Sequence, residues 1–291
     1  MKSLNNVLAP AKLNLFLHIT GRRPDGYHLL QSVFMLIDWY DTLHFESRSD
    51  GHISREDLNV PLPPDDLITR AARLLQQATG TAQGAHIAIA KSIPAQAGMG
   101  GGSSDAATCL LALNKLWGLG LSVKQLAELG LKLGADVPFF LHGQNAWVEG
   151  VGEIMTPISL PPAQFAVVKP SEGLETAKIF GSEALKRDTK PATISVFAAD
   201  PYGFGHNDLQ PVAQRLCPQI SDAIAWLESA SLAFLVKGRM TGSGSAVFAQ
   251  VPRGTDLTQM PQVPATWQNW KIQMCGNLEV HPQKGWASSD D

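Results

Sequence analysis

The stretch Pro94-Ala95-Gln96-Ala97-Gly98-Met99-Gly100-Gly101-Gly102-Ser103-Ser104-Asp105-Ala106-Ala107 decides how this chain is read. Between Gly98 and Gly102 only Met99 is not glycine, and the loop runs directly into Ala106, Ala107, Leu110, Leu111, Leu113 and Trp117, the apolar spacing of a buried helix that Gly118 stops. Upstream, His86 to Lys91 reads as a strand. Glycine lets backbone approach a ligand and adopt positive φ, while a helix start offers unpaired N–H groups and the positive end of the helix dipole. That combination suits phosphate. It is not a Walker A loop, because no Lys-Ser/Thr follows the glycines, and it is not the dinucleotide fingerprint, because Ser103 holds the third glycine position after Gly98 and Gly100. A flexible surface turn is the plain alternative, but such a turn has no need of Ala-rich sequence leading into a buried helix.

Working outward, Lys12 to Ile19 alternates with Leu13, Leu15, Leu17 and Ile19 apolar, and Gln31 to Tyr40 reads as a second strand. Together they predict a hairpin whose tip is Gly21-Arg22-Arg23-Pro24-Asp25-Gly26. Asp65 or Asp66 is placed to cap a helix through Leu67, Ile68, Ala71, Leu74 and Leu75 that ends at Gly80. Ser122 and Gln125 form a capping box for a helix closed by Gly134. Ala135-Asp136-Val137-Pro138 is then expected to be a turn, with the proline barring a helical Val137. Pro157 to Pro162 is a proline-rich joint, so domains 1–159 and 160–291 are expected. Beyond it come a strand at Phe165 to Lys169, helices near Asn207 to Cys217 and Ser221 to Glu228, and a strand at Ala246 to Gln250. A second glycine loop, Thr241-Gly242-Ser243-Gly244-Ser245, precedes that last strand; it fits either closure over the same phosphates or a plain hairpin bend. The mixed order of strands and helices gives an α+β fold class.

Composition narrows the function. The chain has 291 residues, 44% hydrophobic and 17% charged, enough for one large domain or two and incompatible with disorder or a coiled coil. Its net charge of -3 argues against nucleic acid as a partner. Cys109, Cys217 and Cys275 are far apart and form no C-x-x-C pair, and the eight histidines show no H-E-x-x-H or H-x-H spacing. Neither a disulfide framework nor a zinc or other transition-metal site is expected. No apolar run approaches the roughly 18 residues of a membrane span, so a soluble, cytoplasmic protein is expected, with no membrane partner.

Phosphoryl transfer to a hydroxyl needs a phosphate cradle, cations against the transferred charge, and usually a carboxylate for the hydroxyl proton. Asp136 is the candidate carboxylate, although an isolated aspartate there would be read as a turn former. Lys12 is the candidate cation, although an isolated lysine in an alternating strand would be read as a solvated face. The pair Tyr27-His28 at the hairpin tip is suited to stacking on and hydrogen-bonding a planar ligand, or to simple packing.

Taken together these segments resemble the GHMP kinase superfamily of galacto-, homoserine, mevalonate and phosphomevalonate kinases. Pro94 to Ala107 is similar to its signature P-x-x-x-G-L-G-G-G-S-S-x-A-A. Pro10-Ala11-Lys12-Leu13-Asn14-Leu15 with Gly21-Arg22-Arg23-Pro24-Asp25-Gly26-Tyr27-His28 is similar to the branch whose substrate is a cytidine diphosphate derivative of methylerythritol. Gly134 to Phe140, Gly150-Val151-Gly152-Glu153, Asn207-Asp208-Leu209, Thr241 to Gly244 and His281-Pro282 recur in the expected order. The resemblance implies a two-lobed fold with the active site in the cleft, ATP as co-substrate, Mg²⁺ delivered with ATP, and a monomer or homodimer. It implies Asp136 as general base and Lys12 as the group that holds that carboxylate and the γ-phosphoryl. Gly98, Met99, Gly100, Gly101, Gly102, Ser103 and Ser104 would wrap the phosphates. Lys91 and Asp66 would lie near the nucleotide, and Asn14 and Thr176 near the substrate. Tyr27, His28 and Phe180 would recognise cytosine, and Gly242, Ser243 and Gly244 would form the second loop. Two departures stand out: Gln96 replaces the family's usual glycine, and Asp66 replaces an asparagine. A GHMP kinase for another small alcohol and a non-catalytic nucleotide-binding module are the competing readings.

Overall fold

Alternating apolar residues build a long hairpin, β1 (Ser3–Arg22) and β2 (His28–Arg48), in the computed structural model, which describes residues 2–230 and 237–289. Strand side chains point to opposite faces with period two. Thus Ala11, Leu13 and Leu15 enter one core while Lys12 and Asn14 face the other way. The hairpin is longer than predicted because bulges, at Pro10/Ala11 and Asn14/Leu17 among others, let it bend while pairing continues. Its tip is tied by Gly26 N–H donating to the Arg23 carbonyl (2.9 Å) and Tyr27 N–H donating to Asp25 Oδ1 (3.2 Å).

After β3 (Ile53–Asp57) come α1 (Leu67–Thr79), β4 (Gly84–Ala90), α2 (Gly101–Trp117), α3 (Val123–Leu131) and α4 (Val137–His142), then β5 (Ala146–Glu149) and β6 (Ile154–Pro157). The first sheet runs β3-β4-β2-β5-β6 with β1 on β2; only β3 and β4 pair in parallel. Helices α1 to α4 cover one face, burying Leu36, Phe45, Ile87, Leu110, Leu113 and Phe139. Asp66 caps α1, accepting from Ile68 N (3.1 Å) and Thr69 N (3.0 Å), and Gly80 ends it at φ +66. The Ser122–Gln125 capping box is present.

One expectation fails here. Val137 begins α4 rather than sitting in an open turn, because Pro138 lies in the first helical turn, where its missing N–H has no acceptor to serve.

Beyond the proline joint lie β7 (Gln164–Lys169), α5 (Thr176–Phe180), α6 (Ile194–Ala199), α7 (Gln210–Leu216), α8 (Gln219–Glu228), β8 (Arg239–Met240), β9 (Val247–Val251) and β10 (Lys271–Gly276). The second sheet is antiparallel in the order β10-β7-β9-β8. Val168, Val212, Ile220, Leu227 and Val247 form its core under α7 and α8, and Leu13, Met35, Trp147, Phe165 and Phe248 join the two sheets. This is an α+β architecture. The polar C-terminal stretch returns to the first core: Ala287 is buried there, Lys115 lies 4.3 Å over the Trp286 ring, and Val123 N–H donates to the Ser288 carbonyl. Among the described residues no helix is long and apolar enough to cross a membrane.

Candidate active site

The glycine loop is held from both sheets by backbone bonds. Lys12 N–H donates to the Met99 carbonyl (3.0 Å), Ser245 N–H to Gln96 (3.1 Å) and Ala246 N–H to Ala97 (3.2 Å). The two glycine loops therefore lie against each other. A Cβ on Gly98, whose φ is +71, would stand 2.3 Å from the Thr241 carbonyl oxygen, and one on Gly242 would stand 2.7 Å from the Gly98 oxygen. Only glycine allows that approach. Asn207 fixes the second loop from behind, its amide donating to the Met240 and Gly242 carbonyls at 2.8 Å each.

Gly100, at φ +70, is the N-cap of α2, with no side chain capping the helix. The N–H groups of the first turn are thus left without an intrahelical acceptor, an arrangement that favours an anion. Gln96 takes φ +50, the left-handed conformation a glycine would adopt without strain, so the replacement keeps the backbone path at an energetic cost. Its side chain lies against Gly173.

A cavity of about 560 Å³ opens between these loops. Lining it are Lys12, Asn14, Asp66, Lys91, Gly98, Met99, Gly100, Gly101, Gly102, Ser103, Asp136, Thr176, Phe180, Gly242, Ser243 and Gly244. Ser104 lies behind them, its amide donating to the Gly100 carbonyl (2.9 Å) and its hydroxyl buried without a partner. Lys12 Nζ is 3.7 Å from Asp136 Oδ2 and donates to Asn14 Oδ1 (2.5 Å). Lys12 is 4% exposed and Asp136 35%, so the carboxylate meets the cavity while the ammonium is sunk behind it. Burial lowers the Lys12 pKa from its ordinary value, opposed by the Asp136 charge and hydrogen bond. The solvated-face reading of Lys12 is therefore wrong: the polar face of β1 at this point is covered by the first glycine loop and Phe34, whose ring centre is 4.7 Å from the ammonium.

Asn14 donates to Ser32 Oγ (2.9 Å) and its N–H donates to Thr241 Oγ1 (2.8 Å), tying β1 to the second loop. Thr176 and Ser243 hydroxyls bond at 2.7 Å. Asp66 spends its carboxylate on capping α1 and on Arg55 (2.5 Å). Lys91 is engaged likewise, bonding Asp41 and Asp105 (2.5 Å to the latter). Burial would lower the Lys91 pKa, but the two carboxylates outweigh it and raise it. Burial raises the Asp105 carboxyl, Asp41 adds to that, and Lys91 opposes it. Asp41, missed in the sequence, also accepts from Ser92 N (2.5 Å) and Ile93 N (2.8 Å), fixing the chain that leads into the glycine loop. The signal for it was a carboxylate inside the apolar run Trp39 to Phe45.

Tyr27 and His28 line an adjoining cavity of about 560 Å³, which shares Leu30 and Phe180 with the first. Tyr27 is 66% exposed. The His28 and Phe180 rings are 5.1 Å apart, tilted by 42°. Arg187, also missed in the sequence because it sits in an aperiodic polar stretch, donates from Nε to His28 Nε2 (3.0 Å).

The geometry thus offers a glycine-lined cradle suited to an anion, a buried cation beside an accessible carboxylate, and a ring-lined recess next to both. Residues 66–144 match the GHMP kinases N terminal domain and residues 197–260 the GHMP kinases C terminal domain. The chain is 62% identical over 295 residues, covering 100% of both sequences, to a protein of Paracidovorax citrulli (strain AAC00-1) named 4-diphosphocytidyl-2-C-methyl-D-erythritol kinase. It is similar to a crystal structure of 4-(cytidine 5'-diphospho)-2C-methyl-D-erythritol kinase at a TM-score of 0.76 and 32% identity, covering 94% of this chain and 99% of that one. It shares the fold of homoserine kinase from Cytophaga hutchinsonii at a TM-score of 0.65 and 15% identity, covering 97% of this chain and 96% of that one.

Proposed function

Since the chain belongs to the 4-diphosphocytidyl-2-C-methyl-D-erythritol kinases of the GHMP kinase superfamily, we propose that its glycine-lined cavity transfers the γ-phosphoryl group of ATP to the 2-hydroxyl of 4-diphosphocytidyl-2-C-methyl-D-erythritol, a step of the non-mevalonate route to isoprenoid precursors. The observation that carries the proposal is the Lys12–Asp136 pair, 3.7 Å apart, lining the same cavity as both glycine loops. An alcohol is a weak nucleophile, but phosphoryl transfer passes through a loose transition state, so alignment and charge neutralisation matter most. As the substrate oxygen bonds to the γ-phosphorus and the bond to the ADP oxygen breaks, Asp136 accepts the hydroxyl proton and Lys12 neutralises charge on the transferring group. The first-turn N–H groups of α2 and the backbone of Gly98 to Gly102 hold the remaining phosphates.

Mg²⁺ fits this arrangement as a metal carried by ATP. Among the described residues no group of three or more His, Cys, Asp or Glu is placed to hold an ion, and Mg²⁺ is commonly held by substrate phosphates and one or two protein oxygens. Ser103 and Asp136 are among the side-chain oxygens that line the cavity and would be placed to hold the ion, which would add positive charge against the phosphates. Tyr27, His28 and Phe180 hold the cytosine, with Asn14 and Thr176 near the substrate's linking segment. In this reading residues 1–159 carry both catalytic groups and residues 160–291 bring the second loop and Phe180. The enzyme works in the cytoplasm as a monomer or homodimer, without nucleic-acid or membrane partners.

The test is ADP release by purified protein given ATP and the cytidine substrate, abolished in Asp136→Ala. No release by the wild-type protein overturns the proposal. Release only with homoserine or a mevalonate derivative would favour a kinase for another alcohol, a reading that leaves the Tyr27–His28 recess without a use.

A further inference from the structure

Arg187 sits outside the phosphate chemistry, yet its guanidinium makes four hydrogen bonds at the far end of the site. Nη1 donates to the Leu185 carbonyl (2.9 Å), Nη2 donates to the Ser182 (2.8 Å) and Phe180 (3.3 Å) carbonyls, and Nε donates to His28 Nε2 (3.0 Å). One side chain thus ties together the two walls of the recess, the segment that carries Phe180 and the β2 start that carries His28.

The last of these bonds fixes a proton. A guanidinium has donors and no acceptor, and it stays protonated in proteins. The nitrogen it faces must present a lone pair. His28 Nε2 is therefore unprotonated, and the neutral ring carries its hydrogen on Nδ1. Burial, the Arg187 charge and the Arg22 charge all lower the His28 pKa from its ordinary value, in keeping with a neutral ring. Free imidazole has no such constraint, so without Arg187 either nitrogen can hold the hydrogen.

The consequence is chemical selectivity. The ring offers a donor at Nδ1 and has no lone pair left for a ligand. Cytosine presents acceptors at N3 and O2 on its pairing edge. Uracil shares the O2 acceptor and adds one at O4, but held with N3 in the same place it presents a donor there, which would meet the Nδ1 hydrogen head-on and leave the ring only a shifted bond to a carbonyl oxygen. An imidazole free to exchange tautomers could accept from uracil N3–H, whereas one locked by a guanidinium cannot. Resting on the reading of this recess as the nucleobase site, we propose that Arg187 is a positioning residue that locks His28 in its Nδ1–H tautomer and so makes the enzyme select cytosine over uracil.

Two measurements test it. In the ligand-free full-length protein labelled with ¹⁵N-histidine, the His28 resonances, assigned by their loss in His28→Gln, are expected to show a protonated Nδ1 and an unprotonated Nε2. A hydrogen on Nε2 overturns the role of Arg187 whatever the substrate is. Secondly, kcat/KM is compared between the cytidine substrate and its uracil counterpart. In Arg187→Met the cytosine preference is expected to fall about tenfold, the worth of one hydrogen bond of the right sense, through KM and with kcat nearly kept. An unchanged preference in a folded Arg187→Met overturns the proposal. Should that variant not fold, the tautomer of the wild-type protein decides alone. Wild-type protein that releases no ADP with the cytidine substrate overturns the reading of the recess, and the selectivity with it, and is told apart from failure of the tautomer lock by the ligand-free spectrum.

Discussion

A methyl group on Gly98 would stand 2.3 Å from the Thr241 carbonyl, whereas Tyr27, at the other end of the site, leaves 66% of its surface in water. The end we assign to phosphate is made of backbone. Its loops are pinned by main-chain bonds from β1 and by the contact of each glycine loop with the other, and Asn207 and Asp41 hold the flanking chain. The end we assign to the base is made of side chains on a hairpin tip and a short helix, joined by Arg187. Phosphates look alike in every substrate of such an enzyme, so a site for them can be fused into the fold. A nucleobase is read by side chains that can change without disturbing the core. The difference predicts that substitutions at the phosphate end cost rate or stability, while those at the base end cost affinity alone.

Lys12→Met should show the largest effect. The change removes a buried ammonium but leaves Asp136 partly solvated at 35% exposure, so the carboxylate is not stranded in the interior. A drop in kcat of about a thousandfold is expected, on the scale of losing a charge that stabilises the transferring group. Steady-state ADP release together with a thermal unfolding curve separates this from misfolding. A Lys12→Met protein within tenfold of wild-type turnover would remove the cation from the mechanism and with it the sharpest contrast between the two ends.

Gly98→Ala comes next, and it has a built-in control. Gly98 and Gly118 have nearly equal φ, +71 and +67, but an added Cβ meets the Thr241 carbonyl in one case and open space in the other. Gly118→Ala should cost about 1 kcal/mol, the price of left-handed backbone alone. Gly98→Ala should cost at least about 2 kcal/mol, since the clash adds to the strain, and should raise the KM for ATP more than tenfold by pushing the loops apart. Denaturant unfolding of both variants measures the difference. Equal losses would mean that the two loops yield easily and that the phosphate end is not fused into the fold.

The same contrast explains what the sequence disclosed. Gly98 to Gly102, the Asp66 cap, the Gly80 and Gly118 stops and the Ser122–Gln125 box are local signals, and each is found where it was expected because the physics that produces it lies within a few residues. Lys12 and Asp136 were ambiguous alone, each with a commonplace reading, and gained a role only from family resemblance. The two meet in space although β2, β3, α1, β4, α2 and α3 lie between them in the chain. The roles of Asp41, Arg187 and Trp286 turn on distant partners: Lys91, Ser92 and Ile93 for the first, His28 for the second, Lys115 for the third. No window of sequence contains those pairs. Val137 fails differently, since the rule that residues before proline avoid the helical region yields at a helix start, where Pro138 lacks nothing that the helix needs.

The smallest expected effect lies at the hairpin tip, and it bears most directly on the comparison. Tyr27 is exposed, and the tip is tied by bonds from the Arg23, Gly26 and Tyr27 backbone rather than by the phenol ring. Tyr27→Ala should therefore leave the thermal unfolding midpoint and the KM for ATP where they are. Stacking of a base on an aromatic ring is worth about 1–3 kcal/mol, so the KM for the cytidine substrate should rise by about tenfold or more while kcat holds. Substrate and ATP titrations on one preparation read both constants. A rise in the KM for ATP of the same size would show that the two cavities, which share Leu30 and Phe180, act as one site. A change confined to the cytidine substrate would show that base recognition is carried by side chains the fold does not depend on.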